Sequence, residues 1–398
     1  MKDESRRSFI TAAASAGALA SLPLKAFAQT EPPGTISNDV IKGEKAKSMQ
    51  WHSERPLTGS VPAHEHDFDA TPNDRMFVRN NLTTPAIDIN THRLTIKGLV
   101  DKELSFSTFD LAKEFRTVSM QGMLECAGSG RSTYRPAASG TPWLETGGMG
   151  CPVWGGVRLA DLLKAAGLKP GAAHVAGQGG DPGMVPTAAP VIRSIPMAKA
   201  MNEGTLVAWA MNGEPLPWVH GYPLRLVVPG WVGSASTKWL HTLTVLDAPF
   251  KGTYMDSSYR VPRTPIEPGT KMPADAVSAE AWPVKSIITS PAPNAHVKSG
   301  PILVRGRAWV GEGTVERVEI SSDEGKTWQR AQLAPASPLH PHAWRTFTYE
   351  HRAQRPGYVS FLARAWDDRG NSQPAVPYWN PLGYFWNGWH RVGVVVEA

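Results

Sequence analysis

The chain has 398 residues, 41% hydrophobic and 19% charged, enough to bury more than one core and too apolar for a disordered tail. Its formal charge of +6 is scattered rather than striped, which argues against nucleic acid as a partner. Two cysteines allow at most one disulfide, so this is no disulfide scaffold. In chain order, Arg6-Arg7 precede a weakly apolar run from Phe9 to Leu24, and Ala26-Phe27-Ala28 has the small-x-small pattern of a cleavage site. That run is shorter than the ~20 residues needed to span a bilayer. Residues 1–28 therefore read as a twin-arginine export signal, the mature protein is expected in the periplasm, and no membrane span is expected.

Residues 29–70 read as an extended, polar lead-in. Over 71–260, short strand and helix patterns mix. The alternation from His92 to Val100 predicts a half-buried strand, and so do Thr205–Met211, Pro223–Val228 and Lys238–Leu246. Ser107–Phe115 and Val157–Ala166 predict short helices, the second closed by Gly167. Strands and helices do not alternate regularly, so the fold class is α+β rather than a doubly wound sheet. Pro262, Pro265, Pro268, Pro273 and Pro283 mark 261–285 as a linker. From 286 to 398 the pattern is all β: Ile302, Val304, Ala308 and Val310 alternate against Arg305, Arg307 and Trp309, and Val359, Phe361, Ala363 and Ala365 alternate again. Short strands at this spacing predict an immunoglobulin-like β-sandwich.

The chain has no dinucleotide-binding glycine fingerprint, P-loop, nucleophile elbow or His-Glu-x-x-His. Without Cys-x-x-Cys-His it carries no c-type haem by the usual attachment. His64-Glu65-His66 could ligate a metal, but its polar setting favours a solvated loop. The distinctive segment is Leu124-Glu125-Cys126-Ala127-Gly128-Ser129-Gly130-Arg131. Small residues after Cys126 let the backbone approach something bulky, and a nearby cation favours a thiolate ligand or nucleophile. By spacing alone, a buried structural cysteine is the favoured reading. Cys151 reads as a small buried hydrophobe.

Further fragments follow in a fixed order: Thr71 to Asn80, the Cys126 loop, Gly140 to Trp143, Trp154 to Leu159, His220 to Arg225, Val228 to Gly233, Lys238 to Leu240, Trp379 to Gly383 and Trp389 to Val392. Together they resemble the sulfite oxidase family of molybdenum enzymes, over about residues 71–395. Arg193-Ser-Ile-Pro196 and the ending Tyr378 to Trp386 resemble its sulfane dehydrogenase branch. The resemblance implies a molybdopterin-binding catalytic domain followed by a dimerisation domain, with one molybdenum and its molybdopterin per chain. Cys126 would be the metal's thiolate ligand. Val78, Arg79, Asn80, Asn81, Asp181, His220, Arg225, Ser236, Thr237 and Lys238 would bind the cofactor, the loop 177–194 around Asp181 differing in length from the family's. Arg79, Arg131, Trp143 and Tyr259 would line the substrate pocket. The reaction implied is oxidation of reduced sulfur, with electrons passed to a separate c-type cytochrome subunit and a homodimer formed through the C-terminal domain. Asn81 and Leu382 stand where the family's free-sulfite enzymes carry His and Arg. Losing a cation suits sulfane sulfur presented on a carrier protein better than a small sulfur oxyanion. The alternatives are a sulfite dehydrogenase acting on free sulfite and a non-catalytic secreted binding protein.

Overall fold

The computed structural model describes residues 33–183 and 187–398. The expected export signal lies outside them. Residues 34–398 form one compact unit.

Two sheets build the first half. One runs in the order Ile192–Pro196, His174–Gly179, Leu240–Leu246, Leu94–Gly98, Leu104–Phe106. The other runs Glu214–Pro215, Leu206–Met211, Val153–Arg158, Val118–Gln121, with Arg225–Val227 paired to Leu206–Met211. The helix Thr108–Glu114 starts where expected because Ser107 and Asp110 form a reciprocal capping box. The helix Leu159–Ala166 buries Leu159, Leu162, Leu163 and Ala166, the period of one helical face, in a core shared with Leu94, Ile96, Val175, Leu226 and Leu243. Its predicted first residues, Val157 and Arg158, end a strand instead.

The segment expected to be an extended lead-in is folded. Ser37 caps the helix Asn38–Gly43 by accepting from the Val40 amide. Gln50–Glu54 and Leu57–Ser60 pair antiparallel, and the second pairs with Val78–Arg79. His64-Glu65-His66, expected as a solvated loop, lies in the 3₁₀ turn Ala63–His66. His66 is buried with its ring edge-on to Trp344, and burial pushes its pKa down to about 3. The strands are short and their partners distant, so local composition masked them.

The C-terminal half is the expected sandwich. A sheet ordered Lys285–Ser290, Gly300–Trp309, Arg345–Ala353, Gln332–Leu333 faces one ordered His296–Lys298, His390–Glu397, Gly357–Asp367, Val315–Ser321, Gln329–Arg330. Ile302, Val304, Val318, Phe347, Phe361 and Val394 fill the space between. Near the end of Gly300–Trp309 the outward residues are not solvated as alternation alone suggests, although Leu303 is. Arg307 and Trp309 are each 3% exposed. Asp67 pairs with Arg305 and accepts from Thr289, while Ile287 and Trp309 pack against Met123, Met149 and Cys151. The sandwich and the first half therefore share a packed seam, which reaches Glu125 beside the candidate site.

Candidate active site

A cleft of about 700 Å³ opens in the first half. Cys126, 8% exposed, lines it and follows the short strand Leu124–Glu125, with its amide donating to the Gly148 carbonyl at 2.8 Å. The small residues beyond Cys126 serve a different partner from the one expected. A Cβ at Gly128 would stand 2.6 Å from the Arg131 guanidinium, and one at Gly130, whose φ is +82°, would stand 2.5 Å from Trp386. These glycines make room for the protein's own side chains.

A second wall of the cleft is strongly cationic. His220 ends the 3₁₀ turn Trp218–His220, Arg225 opens a strand, and Lys238 precedes the strand Leu240–Leu246. Lys238 Nζ donates to the carbonyls of Arg79 (3.1 Å) and Val219 (2.9 Å) and to Asn80 Oδ1. Arg225 donates to the His220 carbonyl at 3.1 Å, leaving its buried Nε without a partner. Ser236, whose hydroxyl accepts from the Val228 amide, and Thr237 complete this side.

The sequence reading missed Lys45. It comes from the folded lead-in, 2.5 Å from His220 Nε2, and donates to the carbonyls of Asn73 (2.7 Å) and Met76 (3.1 Å). Nothing local in the sequence distinguishes it, because tertiary packing alone brings it here. Burial pushes Lys45 down to about 7, against the opposing pull of Glu44 and Asp74. Burial takes Arg225 to about 9 and drives His220 and Lys238 well below their usual values, with neighbouring cations adding to the effect. Asp181, the acid on this wall, is pushed up to about 6 by burial despite Lys238. Among the described residues, none of Lys45, Arg79, Arg225 and Lys238 has an ion pair within 4 Å. Buried cations without a counter-charge are costly unless an anion joins them. The wall is built for one.

At the opposite end, Tyr259 shares a weak hydrogen bond of 3.3 Å with Asn81. Its ring stacks on Tyr384 with centroids 5.7 Å apart and planes 10° apart. Arg193 lies 4.8 Å from the Tyr259 centroid, and Arg131 lies 5.2 Å from the Tyr384 centroid. Arg193, missed as a site residue, is held by the Tyr254 and Ala279 carbonyls and Ser278 Oγ.

The cleft thus brings together Arg79, Asn81, Cys126, Asp181, His220, Arg225, Ser236, Thr237, Lys238 and Tyr259. Val78 and Asn80 are buried behind it. Arg131 and Trp143, expected as pocket walls, also stand behind it. Arg131 donates to the carbonyls of Leu382 and Thr141, and Trp143 is fully buried, packed edge-on against Phe77 and His52. Among the described residues, no three His, Cys, Asp or Glu side chains converge. A metal at Cys126 would take its remaining ligands from a cofactor and solvent.

Residues 81–254 match the oxidoreductase molybdopterin binding domain, and 277–397 the Mo-co oxidoreductase dimerisation domain. Mitochondrial sulfite oxidase of Rattus norvegicus is 35% identical over 381 residues, 92% of this chain and 68% of that protein. Sulfite oxidase of Gallus gallus is 32% identical, covering 90% of this chain and 81% of that protein. The chain belongs to the sulfite oxidase family. It spans about two thirds of the length of its mammalian relatives. Among solved structures, the sulfane dehydrogenase SoxCD from Paracoccus pantotrophus superimposes with a TM-score of 0.74 at 28% identity, covering 93% of this chain and 96% of that one.

The residues present fit the family's cofactor. The cationic wall suits the pterin's phosphate, with His220, Arg225, Thr237 and Lys238 lining the cleft and Lys45 beside His220. Cys126 would supply a soft sulfur to molybdenum. Lys45 and Arg79 precede the matched molybdopterin domain, so the folded lead-in is part of the site.

Proposed function

We propose that this chain is an exported, periplasmic molybdenum enzyme that oxidises reduced sulfur and passes the electrons to a c-type cytochrome subunit. The observation that carries the chemistry is Cys126 in one cleft with Arg79, Arg225 and Lys238, buried or half-buried cations that make no ion pair among the described residues. Bound there, the molybdenum cofactor supplies two-electron oxidation with transfer of an oxygen atom drawn from water. The chain's own residues do the rest. Arg79 and Asn81 receive an anionic or polar sulfur group, Tyr259 offers its hydroxyl beside Asn81, and the cationic wall keeps the cofactor's phosphate fixed.

Carrier-bound sulfane sulfur is the proposed substrate. Leu382 lends an apolar side chain to the cluster around Tyr259, and its carbonyl engages Arg131. A small dianion would meet fewer free donors than a set of unengaged arginines would offer. Free sulfite is the second reading, favoured by relatives named sulfite oxidase. The twin-arginine leader supports the periplasmic location, and the dimerisation-domain match supports a homodimer. The test is molybdenum analysis of purified protein, then cytochrome c reduction with sulfite and with carrier-bound sulfane in parallel. About one molybdenum per chain and preferential turnover of the carrier are expected. Protein expressed with cofactor-synthesis capacity yet free of molybdenum would overturn the reading.

A further inference from the structure

Glu125 precedes Cys126 at the end of a strand paired with Met149–Gly150 and bridged to Val232. Neighbouring residues in extended chain point to opposite sides. Cys126 faces the cleft, so Glu125 points away, through the seam and into the sandwich. Lys285 Nζ donates to its Oε1 at 2.7 Å, Trp309 Nε1 to its Oε2 at 2.9 Å, and Trp282 Nε1 to its carbonyl at 3.3 Å. Both charged groups are buried, Glu125 at 0% and Lys285 at 2% side-chain exposure. Lys285 and Trp309 are register partners on adjacent strands, so the two donors come from one rigid platform. The same ammonium lies 3.5 Å from Ser129 Oγ, and the Ser129 amide donates to the Cys126 carbonyl at 2.8 Å. The turn holding Cys126 is thereby tied on both sides to one cation of the other half.

A buried ion pair is a poor way to add stability, since apolar residues of similar volume commonly serve as well. What it adds is direction. We infer that Glu125 and Lys285 are positioning residues for the Cys126 thiolate, so that the C-terminal sandwich sets the angle at which this sulfur meets the metal. The inference rests on Cys126 as the metal ligand, which Cys126→Ser tests separately by loss of molybdenum.

The experiment compares loaded wild type with Glu125→Ala, Glu125→Gln and the near-isosteric double variant Glu125→Gln/Lys285→Met. The readouts are molybdenum per chain and the thiolate-to-metal charge-transfer absorption, neither of which needs a substrate. In Glu125→Ala, molybdenum content is expected to fall about tenfold, as when outer partners of metal ligands are removed. Glu125→Gln, which still accepts from Trp309, should recover most of it. The double variant should load metal but shift the charge-transfer band and lower kcat about tenfold with KM changed less than about twofold. If Glu125→Ala gives no soluble protein, the double variant decides alone. A wild-type band and kcat in the double variant, or full metal content with an unshifted band in Glu125→Ala despite a lower Tm, would show the pair to be merely structural.

Discussion

Replacing Lys45 by Met should stabilise the cofactor-free protein and weaken its hold on the cofactor. The ammonium lies between His220 Nε2 and two carbonyls and makes no ion pair among the described residues. Its displacement from 10.5 to about 7 corresponds to roughly 5 kcal/mol against the charged form. The folded value lies below the unfolded one, so between about pH 7 and 10.5 the unfolded chain binds more protons. Stability of the cofactor-free wild type therefore rises with pH across that window, and the penalty is fully present below it. Lys45→Met lacks this rise. The variant should be the more stable form near pH ~6, and the gap should close by pH ~10. In loaded protein, a phosphate beside Lys45 offsets the penalty, and the wild type should then be the more stable. Urea denaturation of both forms across this range, with cofactor retention on dilution, measures each expectation. A gap independent of pH in the cofactor-free pair, or equal retention of cofactor, would refute the reasoning.

Leu382→Arg should improve use of free sulfite by ten- to a hundred-fold, because one charge-assisted contact contributes about 1.5–3 kcal/mol. The same change should slow carrier-bound sulfane turnover, and steady-state assays on both substrates check it. With iodoacetamide near pH 8, cofactor-free protein should label at Cys126 while Cys151, fully buried and pushed up to about 12, stays unmodified until unfolding. Peptide mapping of equal labelling at both thiols would contradict the buried seam. Burial depresses His66 and His390 to about 3 and His342 to about 4, all below the ordinary 6.5. The unfolded chain binds more protons in that interval, so stability should hold above about pH 6.5 and fall toward pH 3. Chemical denaturation at a series of pH values, with His66→Gln flattening part of the slope, tests this.

The sandwich was legible in the sequence because each long strand keeps period-two alternation over its buried face, as Ile302, Val304 and Ala308 do. Much of the cleft was legible because its residues sit in ordered fragments resembling the sulfite oxidase family. What escaped depends on contacts remote in sequence. Arg307 and Trp309 read as an outward face because the residues covering them, Asp67 and Trp344, lie on other segments. Lys45 lies 175 positions from His220. Arg131 read as a pocket wall until its donors met the carbonyls of Leu382 and Thr141. Glycine beside Cys126 signalled close approach, but the sequence could not say that the approaching group was Arg131.

The cluster of Arg193, Tyr259, Tyr384 and Arg131 bears on how easily its rings are oxidised. A guanidinium over each ring makes removal of an electron from it more costly, since nearby positive charge opposes a developing radical cation. The phenols nearest the reacting centre are thus raised in oxidation potential by their own packing. In the proposed function, where electrons leave singly from an oxidised metal, an easily oxidised ring beside it would be exposed to damage. Here Tyr259 holds Asn81 at the edge of the cleft, and under the proposed chemistry both rings would be poor sites for an electron to leave.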